Sequence, residues 1–429
     1  MPRVARRRIQ KRGRPVAAKR SIPVTIAVVR ILALLILAVS CASAAPPTMV
    51  VVSEDEADPV RSALTRKEAW TQDSARRLRA EADRRMNQGP WSVTYERPAG
   101  LALDPHDYYS EAPYWWPNPD DPAGPFILRD GRLNPDRFTA NRNALESLCD
   151  TVFTLGTAAY FFDDARYAQR ASRLLQVWFI NPRTRMNPNL ENAQAIRGAN
   201  LGRPAGILEG RVLIRAIQGI EFLARTGNWD PKDQAAVRKW FEDYLHWLTQ
   251  SKNGLEEKSS GNNQASWWTA QVAAIATLVE DEAASKMAFS YYRDRIFPRQ
   301  IRGDGSAPGE DSRSLWSSVF NLEALTMVCR IAEMQGVDLW SVRGRNNSTI
   351  ATVVNYLEPY LSDPRKWSRE QEIDLETDGL YFLAFAGMGL KQQEYIALYQ
   401  KLEHPDRAWL TLVDLLVGRW MAAGHQTRH

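Results

Sequence analysis

At 429 residues, with 44% hydrophobic and 24% charged residues, the chain can bury a large core and has the composition of an ordinary globular protein. Three cysteines without a CxxC pair, and five histidines without HxH or HxxxH spacing, leave a structural zinc site without its ligand pattern. The formal charge of +5 belongs to the N-terminus: residues 1–44 carry ten basic and no acidic side chains, and without them the chain stands at −5, so charge offers no argument for nucleic acid.

Nine Lys or Arg in the first 20 residues, an apolar run from Ile22 to Val39 and the small-residue site Ala42-Ser43-Ala44 form a signal-peptide pattern over residues 1–44. A secreted or periplasmic protein is expected, with an uncleaved membrane anchor and a lipoprotein-like Leu37-Ala38-Val39-Ser40-Cys41 as alternatives. Residues 45–60, rich in Pro, Asp and Glu, read as a flexible lead-in to a single domain over 61–429. Helical spacing from Ser62 to Met86 predicts one long helix. Between Pro90 and Asp136, eight prolines interrupt every candidate element, leaving a long irregular segment of the kind that is often functional.

From Asn141 onward the periodicity predicts helices near 141–161, 164–179, 207–226, 231–250, 265–279, 282–297, 317–335, 347–361, 376–388, 391–402 and 406–421, separated by turns such as Asn181-Pro182 and Asp363-Pro364. No convincing alternating strand pattern appears. Helix after helix implies an all-α toroid or solenoid, although no repeat of fixed period is visible. Cys149 and Cys329 lie in apolar helical contexts, where one disulfide or two buried thiols both fit.

Four polar or aromatic connections exceed what packing requires. They are the irregular segment with Tyr108-Tyr109 and Tyr114-Trp115-Trp116, the Asn/Arg-rich 183–206, Asn262-Asn263-Gln264 before Trp267-Trp268, and 302–314. Asn262 and Asn263 fit either helix caps or ligand donors. Some of the aromatics are expected to pin the loop, and one of Trp267 and Trp268 to face the core.

Tyr108-Tyr109-Ser110-Glu111-Ala112-Pro113-Tyr114-Trp115-Trp116-Pro117, Thr184 to Leu190 with Ala193-Gln194-Ala195-Ile196, Asn262-Asn263-Gln264, and Phe320-Asn321-Leu322-Glu323-Ala324-Leu325 occur in series over about residues 95–360. This series resembles the alginate-lyase-domain family of polysaccharide lyases. The resemblance implies an incomplete (α/α) toroid of antiparallel helix pairs with a long irregular N-terminal loop, and β-elimination on a uronic-acid-containing polysaccharide. That reaction neutralises a carboxylate, removes the adjacent C5 proton and protonates the leaving O4.

The implied catalytic set is Asn263, Gln264, Arg313 and Tyr109. The implied substrate-binding set is Tyr108, Tyr114, Trp115, Trp116, Asn189, Gln194, Arg203, Arg211, Trp267 and Glu310. No cofactor, metal ligand, nucleic acid or protein partner is called for, and a divalent cation sharing the neutralisation is left open; the partner expected is an acidic polysaccharide. The family pattern has His where this chain has Gln264 and Tyr where it has Ser317. Glutamine donates hydrogen bonds but is no base near neutral pH, so Tyr108, Tyr109, Tyr114 and His106 are the substitutes for proton transfer. Arg313 has an ion pair with Glu310 or Asp311 as its ordinary reading, and Arg211 one with Glu209. A glycoside hydrolase using Glu209, Glu310 or Asp311 and a glycan-binding protein without turnover are the alternative functions.

Overall fold

The structure is a computed structural model, and it describes residues 49–129, 131–311, 314–368 and 380–424. The expected signal segment 1–44 lies outside the described residues, as does Arg313.

The lead-in is the first correction. Met49 to Val52 are buried, because Val51 and Val52 N–H both donate to Gln218 Oε1 (2.8 and 2.9 Å), Val50 N–H donates to Glu221 Oε2 (2.8 Å), and the buried Arg330 guanidinium donates to Val51 O (2.8 Å). Four buried apolar residues, three of them with their N–H groups bonded, are core, whatever the acidic composition that follows them. The single helix expected over 62–86 is two, α1 (Glu54–Thr65) and α2 (Gln72–Arg85). Lys67 at φ 57° breaks the run, since a left-handed residue cannot continue a right-handed helix.

The Pro-rich segment carries three short strands, β1 (Tyr109–Glu111), β2 (Trp115–Trp116) and β3 (Ile127–Leu128). Then follow α3 (Ala140–Phe162), α4 (Ala165–Leu175) and β4 (Asn192–Ala195). Strand β4 pairs in parallel with β1, and β2 pairs with β3 in antiparallel fashion. The helix expected over 207–226 opens as a 3-10 run, Pro204–Val212, before α5 (Leu213–Arg225). Next come α6 (Pro231–Gln250), α7 (Lys252–Lys258), α8 (Asn263–Val279) and α9 (Glu282–Tyr291). The longer helices that follow are α10 (Leu315–Met334), α11 (Ile350–Ser362), α12 (Tyr381–Leu390), α13 (Gln393–Lys401) and α14 (Ala408–Ala422).

Helices α3, α5, α8, α10, α12 and α14 form an inner ring in which each packs on the next and α14 returns to α3. Helices α4, α9 and α13 pack outside the inner helices that precede them, α6 packs on α8, and α11 lies against α10 and α12. The inner helices are apolar nearly all round, as a helix covered on both sides must be; α8 is buried almost throughout. Where α3 crosses α5, Gly156 and Gly219 let the backbones touch. A Cβ on Gly156 would meet Gly219 O at 2.1 Å.

Inner helices α8 and α10 run in the same direction. Near their N-termini Ser266 and Asn321 both donate to Gln300 Oε1 (3.0 Å each), and at their C-termini Gln335 donates to Thr277 Oγ1 (2.5 Å). This is the (α/α) toroid expected. Cys149 and Cys329 are both free and buried.

Candidate active site

The polar loops of the chain lead into the N-terminal ends of the inner helices, where unpaired backbone N–H groups place partial positive charge. At α8, Asn262 caps the helix, accepting from Gln264 N–H (3.1 Å). Asn263 is buried, and both its backbone N–H and its side-chain amide donate to Glu310 (2.6 Å each). That bond corrects two expectations at once. Glu310, 1% exposed, holds the start of α8 and does not face a substrate, and the Asn263 amide donor is engaged. Gln264 is half-buried, and its side-chain amide makes no hydrogen bond among the described residues. Ser317 is buried, its backbone N–H donating to Ser314 Oγ (3.0 Å).

The tyrosine pair is also structural. Tyr108 is buried and donates its hydroxyl to Glu209 Oε2 (2.7 Å), an oxygen that also accepts from Ser110 (2.7 Å). Burial and the Glu209 charge push the Tyr108 phenol well above its usual range. Tyr109, expected to be catalytic, is buried and donates to Glu111 Oε1 (3.1 Å), and burial followed by the Glu111 charge raises it likewise. A phenol committed to a buried carboxylate can neither approach a sugar nor ionise readily.

Tyr114 keeps part of its surface exposed, as do Trp115 and Trp116 in the β2–β3 hairpin, where the Trp116 indole donates to Arg132 O (2.8 Å). The His106 ring is bonded to Arg185 O (2.6 Å), so it serves the loop.

Arg211 departs from its ordinary reading as an ion pair with Glu209. It forms no ion pair with Glu209 or any other described carboxylate; it donates to Leu208 O (3.2 Å) and lies over the Phe320 ring, 5.3 Å from its centroid. Burial pushes its guanidinium below the usual arginine range, Glu146 opposes this, and the like charges of Arg142 and Arg215 add to it. These groups belong to α3, to α5 and to the 3-10 run ahead of it, so they share the space inside the ring. The Arg142–Glu146 and Arg215–Asp150 pairs (3.1 Å each) continue that charged lining. Their spacing in sequence, Arg142-Glu146-Asp150 and Arg211-Arg215, is a polar stripe at every fourth residue on otherwise apolar segments and could have revealed them.

Trp267 is 4% exposed and packs on Phe320 (5.2 Å), and Trp268 is buried with its indole N–H on Leu248 O, so both are core. The exposed aromatic surface belongs instead to the half-buried Trp316, stacked on Phe320 at 4.8 Å and 11°. Nothing in the sequence pattern separated Trp316 from its neighbours. Asn189 accepts from Glu191 N–H (3.1 Å) and shapes a turn. Gln194 is buried at φ 52° and accepts from Arg203 Nη2 (2.7 Å), so this pair braces β4 and the segment after it.

Glu257 beside them is 1% exposed with both carboxylate oxygens unbonded; burial pushes it up to about 8 against the opposing pull of Arg203. A pocket of about 690 Å³ lies at the other end of α8, lined by Glu242, His246, Glu280, Asp281 and Glu282 among others. Its acids would repel a polyanion.

The alginate lyase family profile matches residues 92–367. An alginate lyase from Bacteroides ovatus is similar over 86% of this chain and 99% of its own, at 26% identity and a TM-score of 0.79. Alginate lyase A1-III of Sphingomonas species A1, in an apo variant, is similar over 71% of this chain and 82% of its own, at 15% identity and a TM-score of 0.50. A tetrasaccharide complex of that lyase covers 64% of this chain and 79% of its own, at 16% identity and a TM-score of 0.49. No curated protein sequence matches.

Proposed function

The chain belongs to the alginate lyase family, and from that premise we propose that it is an exported polysaccharide lyase cutting a uronate-containing glycan, alginate- or glucuronan-like, by β-elimination. The observation that carries this reading is Arg211, a guanidinium without a carboxylate partner among the described residues, held over Phe320 inside the ring. Arg211, with the Gln264 amide, donates to the uronate carboxylate and stabilises the charge that develops there when the C5 proton leaves. The electron pair of the C5–H bond forms the C4=C5 double bond, the C4–O4 bond breaks, and O4 departs with a proton. We assign both proton transfers to Tyr114, a partly exposed tyrosine on the loop ahead of α3, whereas Tyr108 and Tyr109 are buried. Trp316 offers a flat face for a sugar ring. The basic, then apolar, then small-residue order of 1–44 supports export.

Purified protein incubated with alginate, glucuronan and related polyuronates is expected to generate unsaturated ends that absorb in the ultraviolet. Absence of that absorbance across the whole panel, with folded protein, overturns the reading. The hydrolase alternative loses its acids to the scaffold: Glu209 and Glu310 accept the bonds described above, and Asp311 accepts from Ser318 (2.7 Å) and Tyr356 (3.1 Å). Binding without turnover is favoured by one feature, the Gln264 and Ser317 side chains. It predicts oligosaccharide affinity without product, and turnover on restoring Gln264→His with Ser317→Tyr.

A further inference from the structure

Arg211 lies near the end of the 3-10 run Pro204–Val212, and its hydrogen bond to Leu208 O (3.2 Å) stays within that run. An arginine side chain has many rotamers, and one bond at the long end of the range does not aim five donors in a single direction. The ring it lies over supplies the missing constraint.

Phe320, in the second turn of α10, is 7% exposed and wedged between two indoles. Trp316, one turn earlier on α10, stacks on it at 4.8 Å and 11°, and Trp267 of α8 meets it at 5.2 Å and 41°. Two helices therefore set the plane of this ring. The next residue, Asn321, donates to Gln300 Oε1 (3.0 Å), the oxygen that also accepts from Ser266 of α8, so α10 cannot turn about its axis without breaking a buried bond. The Arg211 guanidinium carbon lies 5.3 Å from the centre of the ring so fixed.

A carboxylate in the place of this ring would also hold the arginine, but it would occupy the N–H donors and cancel the charge. An aromatic face attracts the cation through its quadrupole and leaves the N–H groups to an acceptor that arrives later. Phe320 is itself closed in by the two indoles and the guanidinium, so its effect on a bound sugar passes through Arg211.

We propose that Phe320 is the positioning residue of Arg211, holding the guanidinium where a uronate carboxylate reaches it while leaving its charge and donors available. The inference rests on the polyuronate reading above and on the task that reading gives Arg211.

The test is a double-mutant cycle in the full chain, with Phe320→Leu, Arg211→Ala and the pair, joined to an NMR signal that needs no substrate. Phe320→Leu keeps an apolar side chain in the core and removes the ring face. On polyuronate it should lower kcat/KM by about fivefold to thirtyfold, the range of a desolvated cation–ring contact, and by less than about twofold in the Arg211→Ala background. The same loss in both backgrounds, or no loss from Phe320→Leu alone, overturns the proposal. In the parent protein the Arg211 Nε–H proton, recognised as the signal missing from Arg211→Lys, should lie upfield of the ordinary arginine position because of the Phe320 ring current, and Phe320→Leu should return it. An unshifted signal in the parent overturns the proposal even where Phe320→Leu fails to fold, and so does a shift that persists in Phe320→Leu. If the parent turns over no polyuronate, the functional reading fails first, and the NMR signal then decides separately whether Phe320 holds Arg211.

Discussion

Arg211 and Glu257 are opposite cases of a charged group withdrawn from water. Arg211 stays cationic because guanidinium is too basic to lose its proton, and no carboxylate among the described residues pairs with it directly. Replacing it by Ala should lower kcat/KM on polyuronate by about tenfold to a hundredfold, the range for losing a charge-assisted hydrogen bond, and Lys should recover only part. Tyr114→Phe should abolish turnover while leaving oligosaccharide affinity within about twofold, since one hydroxyl is removed and the ring retained. Retained turnover would require another proton carrier.

Glu257 instead can become neutral. Its folded pKa, about 8, lies above the ordinary 4.5, so the protonated form is the one the fold accommodates. The stability it contributes is fully present below about pH 4.5 and is lost as pH rises through about 8. Glu221, also pushed up to about 8 by burial, adds a second loss in the same window. Glu257→Gln should therefore roughly halve the alkaline decline of the melting temperature between about pH 5 and 8, measured by thermal melts. An unchanged slope would mean that Glu257 is ionised in the fold.

At the level of the element, the Gly156–Gly219 crossing is the tightest constraint on the ring. Gly219→Ala puts a Cβ 2.5 Å from Phe153 Cα, backbone that cannot step aside, and should destabilise by about 1–3 kcal/mol or more, read as a fall in melting temperature. Helix positions were legible because inner and outer helices alike expose a periodic apolar face, and α6 begins and ends where its pattern does, at Pro231 and Gln250. What the pattern missed was decided by partners far away in sequence. Met49 to Val52 look like the edge of a polar leader until Gln218, Glu221 and Arg330 meet their backbone.

The candidate site divides in the same way. Motif order marked loops that lead into the inner helices, yet side-chain direction depended on tertiary neighbours: Tyr108 and Tyr109 turned to Glu209 and Glu111, Trp267 turned to the core, and Trp316 took the surface. The Arg211–Phe320 contact, formed by residues far apart in sequence, had no local signature at all.

In the whole molecule, helix starts and arginines gather at one end of the ring, whereas the acid-rich pocket lies at the other end of α8. Binding of an acidic polymer to such a face should weaken as salt rises, because screening at about 10 Å in 0.1 M salt cuts the field beyond direct contact. The affinity of a neutral, carboxyl-reduced polymer should be far less salt-dependent, and comparing the two by calorimetry checks the polarity of the molecule. The segment Met49 to Val52 lies at the C-terminal side of α5 and α10, and it sets a clock as well as a contact. Val51 waits for Arg330, 279 residues later, before its carbonyl has a donor. During synthesis the N–H groups of Val50, Val51 and Val52 can meet Glu221 and Gln218 once α5 has been made, but the contact is completed only when α10 follows with Arg330.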